Sequence, residues 1–335
     1  MKKSAIALAV AGLIAAPLAM ADVQISGQLQ TQLVNYSKND FGAKGLYQTD
    51  GGMGSNLNTG GNWGALAFSA SEDLGDGLKA LARYSFNVST QDGDGKNIGT
   101  RDAYVGLAGD WGAVLGGKMS HPYKTSTLGW DPFVATFMQA RDNGGMGSGL
   151  YGAEVNNAFA YAGKFGGVKV VAAVIVDESI NMAGDKTNGK HPYTFSVNAP
   201  IGPVELAVAH INVKHPVLKD RDATKIGVKW AAGDFTLAGQ VERLNKGLTD
   251  SGNSGNVMYL TGSYAMGNNT ISASYGSEDK DVTGTGDRGQ YFAIGGNHAF
   301  SKNTSAFVGY RSTEYKFAGS KARENAFGAG LRVKF

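Results

Sequence analysis

The chain has 335 residues, 50 of them glycine and none cysteine, with 31 Lys+Arg against 28 Asp+Glu. The lack of cysteine excludes a disulfide-stapled fold and thiolate-held zinc or iron–sulfur sites, and the glycines follow no G-X-Y period, which excludes collagen. Aromatic residues at 10% are too many for a disordered chain, and a formal charge of +3 gives no argument for nucleic acid.

Met1-Lys2-Lys3, an apolar stretch from Ala5 to Leu18 and Ala19-Met20-Ala21 have the charge, hydrophobicity and cleavage pattern of a signal peptide over residues 1–21. The mature chain is then expected to be a single domain, residues 22–335. Losing Lys2 and Lys3 takes its charge from +3 to +1. The longest apolar run beyond position 21 is Val170 to Val176, far short of a transmembrane helix.

Tight Gly/Asp/Asn turns punctuate the mature chain, centred at residues 75, 110, 166, 201, 233, 267 and 302. The intervals are 35, 56, 35, 32, 34 and 35 residues, a period with one outlier. Each interval holds two alternating apolar/polar stretches around a polar, Gly-rich segment. Tyr193, Phe195 and Val197 alternate with Thr194, Ser196 and Asn198; Thr224, Ile226, Val228 and Trp230 alternate with Lys225, Gly227 and Lys229. A period of two places the two sets on opposite faces of a strand.

Seven short turns inside the chain, with long loops between them, divide it into eight long-loop hairpins, so 16 strands are predicted, from about Val23 to Phe335. Short turns on one side, long loops on the other and an even strand number predict an all-β, 16-stranded antiparallel transmembrane β-barrel. Its apolar faces then meet lipid and its polar faces a wet lumen. Lys79, Arg83, Ser85 and Asn87 fall on the predicted inner face, Ala80, Ala82, Tyr84, Phe86 and Val88 on the outer. Trp111, Trp230, Tyr259 and Phe317 are expected in interfacial girdles. The last strand alternates Phe327, Ala329, Leu331, Val333 and Phe335 with Gly328, Gly330, Arg332 and Lys334.

Several segments carry a family resemblance: Ser71-Glu72-Asp73-Leu74-Gly75-Asp76-Gly77, Arg101-Asp102-Ala103-Tyr104-Val105-Gly106, Asp131-Pro132-Phe133, Asn156-Asn157-Ala158-Phe159, Phe300-Ser301-Lys302-Asn303 and the terminal strand. By these the chain resembles a general diffusion porin of the Gram-negative outer membrane, of the type found in β-proteobacteria and neisseriae. The resemblance implies a water-filled channel for passive diffusion of ions and small hydrophilic solutes, without catalytic residues, metal or cofactor. It also implies a homotrimer, contact with outer-membrane lipid and lipopolysaccharide, and recognition by the barrel assembly machinery through the terminal Phe335.

The resemblance accounts for the outlier interval too. In such porins the third external loop folds inward and narrows the pore, which assigns the constriction to about residues 120–153, with Asp131, Arg141 and Asp142 as its charges. Arg101 matches a wall arginine of the family, and Arg83 and Lys118 also fall on the predicted inner face. Gln28, Asn62, Trp63 and Glu154 stand where basic residues are usual. With the basic ladder thinned and Glu154 added, a weak cation preference is expected.

Other chemistry is weakly signalled. Gly147-Ser148-Gly149-Leu150-Tyr151-Gly152 fits a nucleotide-loop spacing without a strand-to-helix context. Asp92-Gly93-Asp94-Gly95 lacks the rest of a calcium loop. A substrate-specific channel or a barrel-based outer-membrane enzyme is the alternative, with His298 and Ser305 the nearest catalytic pairing.

Overall fold

The computed structural model describes residues 22–40, 42, 44–49, 64–90, 98–141, 143–146, 154–176, 191–213, 221–245, 254–279, 289–317 and 320–335. The described residues form β1 (Asp22–Asn39), β2 (Gly45–Thr49), β3 (Gly64–Gly75), β4 (Leu78–Val88), β5 (Ile98–Gly109), β6 (Gly112–Met119), β7 (Val155–Phe165), β8 (Val168–Ile175) and β9 (Tyr193–Ile201). They continue with β10 (Val204–Val213), β11 (Arg221–Ala232), β12 (Phe235–Asn245), β13 (Gly255–Met266), β14 (Asn269–Glu278), β15 (Gly289–Ala299), β16 (Thr304–Phe317) and β17 (Ser320–Lys334). One helical turn, α1 (Pro122–Thr125), and a 3-10 turn (Leu128–Trp130) lie between β6 and β7.

Sequential strands pair antiparallel, and β17 returns to β1, so the sheet closes on itself. The 17 segments occupy 16 wall positions. β2 pairs with the Gln32–Tyr36 part of β1 and β3 with its Asp22–Gln28 part, on the same side of that strand. They occupy one wall position between them, and residues 50–63, which separate them in sequence, lie outside the described residues. The predicted 16-stranded antiparallel barrel is therefore the observed fold. Closure leaves no row of unpaired backbone groups for the bilayer to desolvate.

All seven short turns fall where the sequence spacing puts them. In the turn between β7 and β8, Gly166 and Gly167 take φ of 55° and 93°, a left-handed pair that residues with a Cβ adopt at a cost.

The two faces of the wall are sorted as a lipid-embedded barrel requires. Val105, Ile226 and Leu260 are over 60% exposed, whereas Gln30, Gln32, Thr194, Ser196, Ser272 and Ser274 are buried. In water this arrangement would forfeit roughly 25 cal/mol for every Å² of apolar surface left exposed; against acyl chains it costs nothing comparable. Trp111 and Trp230 are exposed near the short-turn end, as girdle residues would be. Tyr259 departs from that expectation: it is buried inside the barrel, because the β12–β13 register sets it opposite the buried Gln240.

The main apolar core lies inside the barrel, where Phe133, Phe137, Met138 and Met146 of the inserted segment pack with Val34, Tyr36, Tyr259, Tyr291 and Phe307 of the wall.

Candidate functional site

The segment from His121 to Met146 runs inside the lumen and is fixed to one side of it, as the inward-folded third loop requires. It starts with a capped turn: Pro122 occupies the first helical position, and His121 Nδ1 accepts from Lys124 N at 3.3 Å. Tyr123 then donates to Glu242 Oε2 at 2.7 Å, and Lys225 Nζ to Thr127 Oγ1 at 2.8 Å. Further along, Gln32 Oε1 accepts from Phe137 N at 3.2 Å. Arg311 Nη1 donates to Phe137 O at 2.9 Å, Arg332 Nη2 to Val134 O at 3.1 Å, and Tyr291 to Met138 O. Wall side chains thus satisfy the carbonyls of an irregular segment, without which burying its backbone would be unfavourable.

Wall glycines make the close approach possible. A Cβ on Gly276 would stand 2.3 Å from Gly145 Cα, and one on Gly309 would stand 2.2 Å from Met138 Sδ. A side chain at Gly276 would have to move the loop backbone, and one at Gly309 would press on both Met138 and the wall carbonyl of Ile294.

Asp131 organises the middle of the loop rather than facing solute. Its Oδ1 accepts from Phe133 N at 2.9 Å and from the Tyr259 hydroxyl at 3.0 Å, and its Oδ2 from Ala140 N at 2.8 Å. Burial pushes its pKa up to about 6, and these donors together with Arg141 only partly offset that. Arg141 is also buried, in an isolated bridge with Met146. Asp142 lies outside the described residues, as do Asn62, Trp63 and segments 92–95 and 147–152.

The opposite wall carries the other charges. A β-bulge in the β4–β5 pairing sets Arg101 and Asp102 together opposite Ser85, between the Tyr84↔Ala103 and Phe86↔Thr100 pairs. The extra residue turns both side chains inward, where strict alternation would have sent one to lipid. Arg83 Nε lies 3.8 Å from Asp102 Oδ2, and its Nη1 donates to Ser69 Oγ at 2.8 Å. Arg101 Nε lies 3.8 Å from Glu154 Oε1, which also accepts from Lys124 Nζ at 3.2 Å. Burial lowers the Lys124 pKa, with Glu154 acting against it. Burial alone would raise Glu154, but Lys124 and Arg101 together hold its carboxyl below the ordinary glutamate range.

Arg83, Arg101 and Glu154 thus come together as a group, joined by Asp102 and Lys124, which the sequence reading missed. Lys118 does not join them. It pairs with Ala103, on the face of Val105 and Val114, while Leu115 and Met119 point inward. Its Nζ donates to Thr100 O at 2.9 Å. Gly117, at φ 141°, lets β6 approach β5 so closely that a Cβ would lie 2.2 Å from Ala103 O. The expected inward lysine is therefore corrected to an outward one by the register of β5 and β6.

The nearest Ser/His pairing is divided by the wall. His298 opposes Ala306 and Ser305 opposes Ala299, adjacent rungs whose side chains leave by opposite faces, and His298 Nδ1 lies 2.9 Å from Asn269 Oδ1.

A closed 16-position barrel with an inserted loop strapped to one side of the lumen and a charged wall across from it is the architecture of an outer-membrane porin. The chain belongs to the Gram-negative porin family, whose model matches residues 5–318. It is therefore an outer-membrane protein. Outer membrane porin protein 32 of Delftia acidovorans is 28% identical over 253 residues, 72% of this chain and 70% of that protein. Major outer membrane protein P.IA of Neisseria meningitidis is 35% identical over 68 residues; that match spans 20% of this chain and 17% of the relative. Among solved structures, an anion-selective porin from Comamonas acidovorans superposes with TM-score 0.76 at 22% identity, over 94% of this chain and all of that one. OmpT of Vibrio cholerae in its trimer form gives TM-score 0.65 at 16% identity, over 94% of this chain and 99% of that one.

Proposed function

We propose that residues 22–335, freed of a signal peptide at 1–21, form a water-filled channel for passive diffusion of ions and small hydrophilic solutes across the outer membrane. The observation carrying this reading is the strapping of residues 121–146 to one side of the lumen. Side chains of β1 and of β9 to β17 hold the loop there, and Arg83 and Arg101 line the wall it leaves uncovered. The constriction is assigned to about residues 120–153, the assembly to a homotrimer, and Phe335 to recognition by the assembly machinery.

The geometry favours the opposite ion preference from the one the sequence suggested. Glu154, taken as an added acid, is matched by both Lys124 and Arg101. Asp131 is buried in the loop, with no access to the pore. Lys124, itself buried, neutralises Glu154 from within the loop, which leaves Arg83 and Arg101 lining the pore against Asp102, so we propose a weak anion preference. The porin from Comamonas acidovorans, described as anion-selective, has the same fold.

Reversal potentials across planar bilayers in a salt gradient test both parts. Ion-conducting steps with an anion-positive permeability ratio are expected. Purified, folded barrels without conducting steps would remove the channel reading, and a cation-selective potential would remove the charge assignment while leaving the channel.

A further inference from the structure

On the short-turn side of the strapped loop the lumen widens into a cavity of about 850 Å³, with Ser126 and Trp130 above it and Lys164, Lys169, Asn198 and Glu205 on its wall. The hairpin of β7 and β8 sets Lys164 directly opposite Lys169. Both alternate with outward residues, Phe165 and Val174 among them, and share the face of Ala160 and Ala173, so both ammonium groups enter the lumen.

Like charges on directly opposed antiparallel residues repel, and the two-glycine turn beside them fixes the register, so the pair cannot slip apart. The carboxylate of that wall does not neutralise them. Glu205 Oε1 accepts from Asn198 Nδ2 at 2.9 Å, and Oε2 lies 3.8 Å from Lys229 Nζ. Among the described residues no carboxylate forms an ion pair with Lys164 or Lys169. Three lysines against one glutamate leave this wall at net +2, concentrated on one hairpin. A solute carrying two negative charges would answer both ammonium groups at once.

We propose that this vestibule binds small dianions, phosphate or dicarboxylate, on the short-turn side of the constriction, through Lys164 and Lys169. The proposal rests on the channel reading above and adds a solute class to it. The site lies apart from Arg83, Arg101 and Glu154, so it holds the solute before or after the narrowest point and not within it.

The test is single-channel recording of the full mature protein in potassium chloride. Inorganic phosphate, at a pH where the dianion predominates, or succinate is added to one side at a time. Block of the chloride current from the short-turn side at millimolar concentration is expected, with the more potent of the two naming the preferred class. In the Lys164→Gln/Lys169→Gln double variant the half-blocking concentration should rise at least about fivefold, as expected for removing two unit charges from a dianion in a watery lumen. Lys302→Gln, a charge lost from an exposed turn at the same end, should leave it unchanged. No block by either anion, or a block that survives in the double variant, overturns the proposal. Conducting steps and reversal potential are read in the same membranes, so failure of the dianion site stays distinct from failure of the channel or of its ion preference.

Discussion

The ammonium of Lys124, carried on the inserted loop, lies 3.2 Å from the carboxylate of Glu154, which leads from that loop into β7. The two ends of the insertion are thereby clasped to each other, and Arg101 closes on the same carboxylate from the wall at 3.8 Å. A carboxylate engaged twice no longer acts as a free acid in the pore.

Substituting Glu154→Gln removes one negative charge from beside Lys124 and Arg101. The permeability ratio should move further toward anions, and Glu154→Arg should move it more. An unchanged reversal potential in both variants would place Glu154 outside the conducting field.

Asp131 gives the loop a pH response. Its value in the folded protein, about 6, lies above the ordinary 3.8. Docking therefore favours the protonated acid: the contribution is full below 3.8 and is lost as pH rises through about 6. Open-channel noise should fall as pH is lowered through that window and should lose this dependence in Asp131→Asn. His121, the histidine of this loop, is the control; if His121→Asn instead abolishes the response, the assignment to Asp131 is wrong.

Filling a wall glycine should dislodge the loop without unmaking the barrel. Gly276→Ala or Gly276→Val meets Gly145 inside van der Waals distance. Overpacking of this kind costs about 1–3 kcal/mol. The expected outcome is altered conductance and faster proteolysis within 121–146, with heat-modifiable gel mobility retained. Wild-type conductance in both variants would count against the close packing of loop on wall.

An outward position should respond to charge and an inward one should not. Leu260→Arg, on the lipid face near the middle of β13, should cost about 2–4 kcal/mol in refolding into bilayers. Thr236→Arg, whose parity is inward near a short turn, should cost far less. Equal costs would contradict the facing assigned to these strands.

The barrel was legible because its information is local and repeated. Six of the seven short turns carry a glycine and the seventh is Ser301-Lys302-Asn303, each is flanked by two-residue alternation, and the seven repetitions fix the strand number. The site was legible only in part. Arg83 follows simple alternation and Arg101 came from a family position, but Asp102 enters the lumen through a bulge that no residue in Tyr84-Ser85-Phe86 announces. Lys118 fails for the complementary reason: its facing depends on how β6 registers with β5, which alternation within one strand does not determine. Asp131 reads as a pore charge because its charge is visible in the sequence, whereas the Tyr259 hydroxyl that claims it lies 128 residues away. The sign of the expected selectivity turned on the same blindness, since the Lys124 opposite Glu154 sits 30 positions earlier in the chain.

Arg332 bears on the order in which the molecule is assembled. Its Nε donates to Gln30 Oε1 at 2.7 Å across the β1–β17 seam, a separation of 302 residues, while its Nη2 reaches the carbonyls of Val134 and Ala135. One guanidinium therefore belongs both to the seam and to the loop anchor. Contacts of such sequence separation form late, after the loop-closure entropy of nearly the whole chain has been overcome. A barrel still open along β1 and β17 lacks this fastening for its inner loop, so the passage reaches its working width only as the last strand comes home.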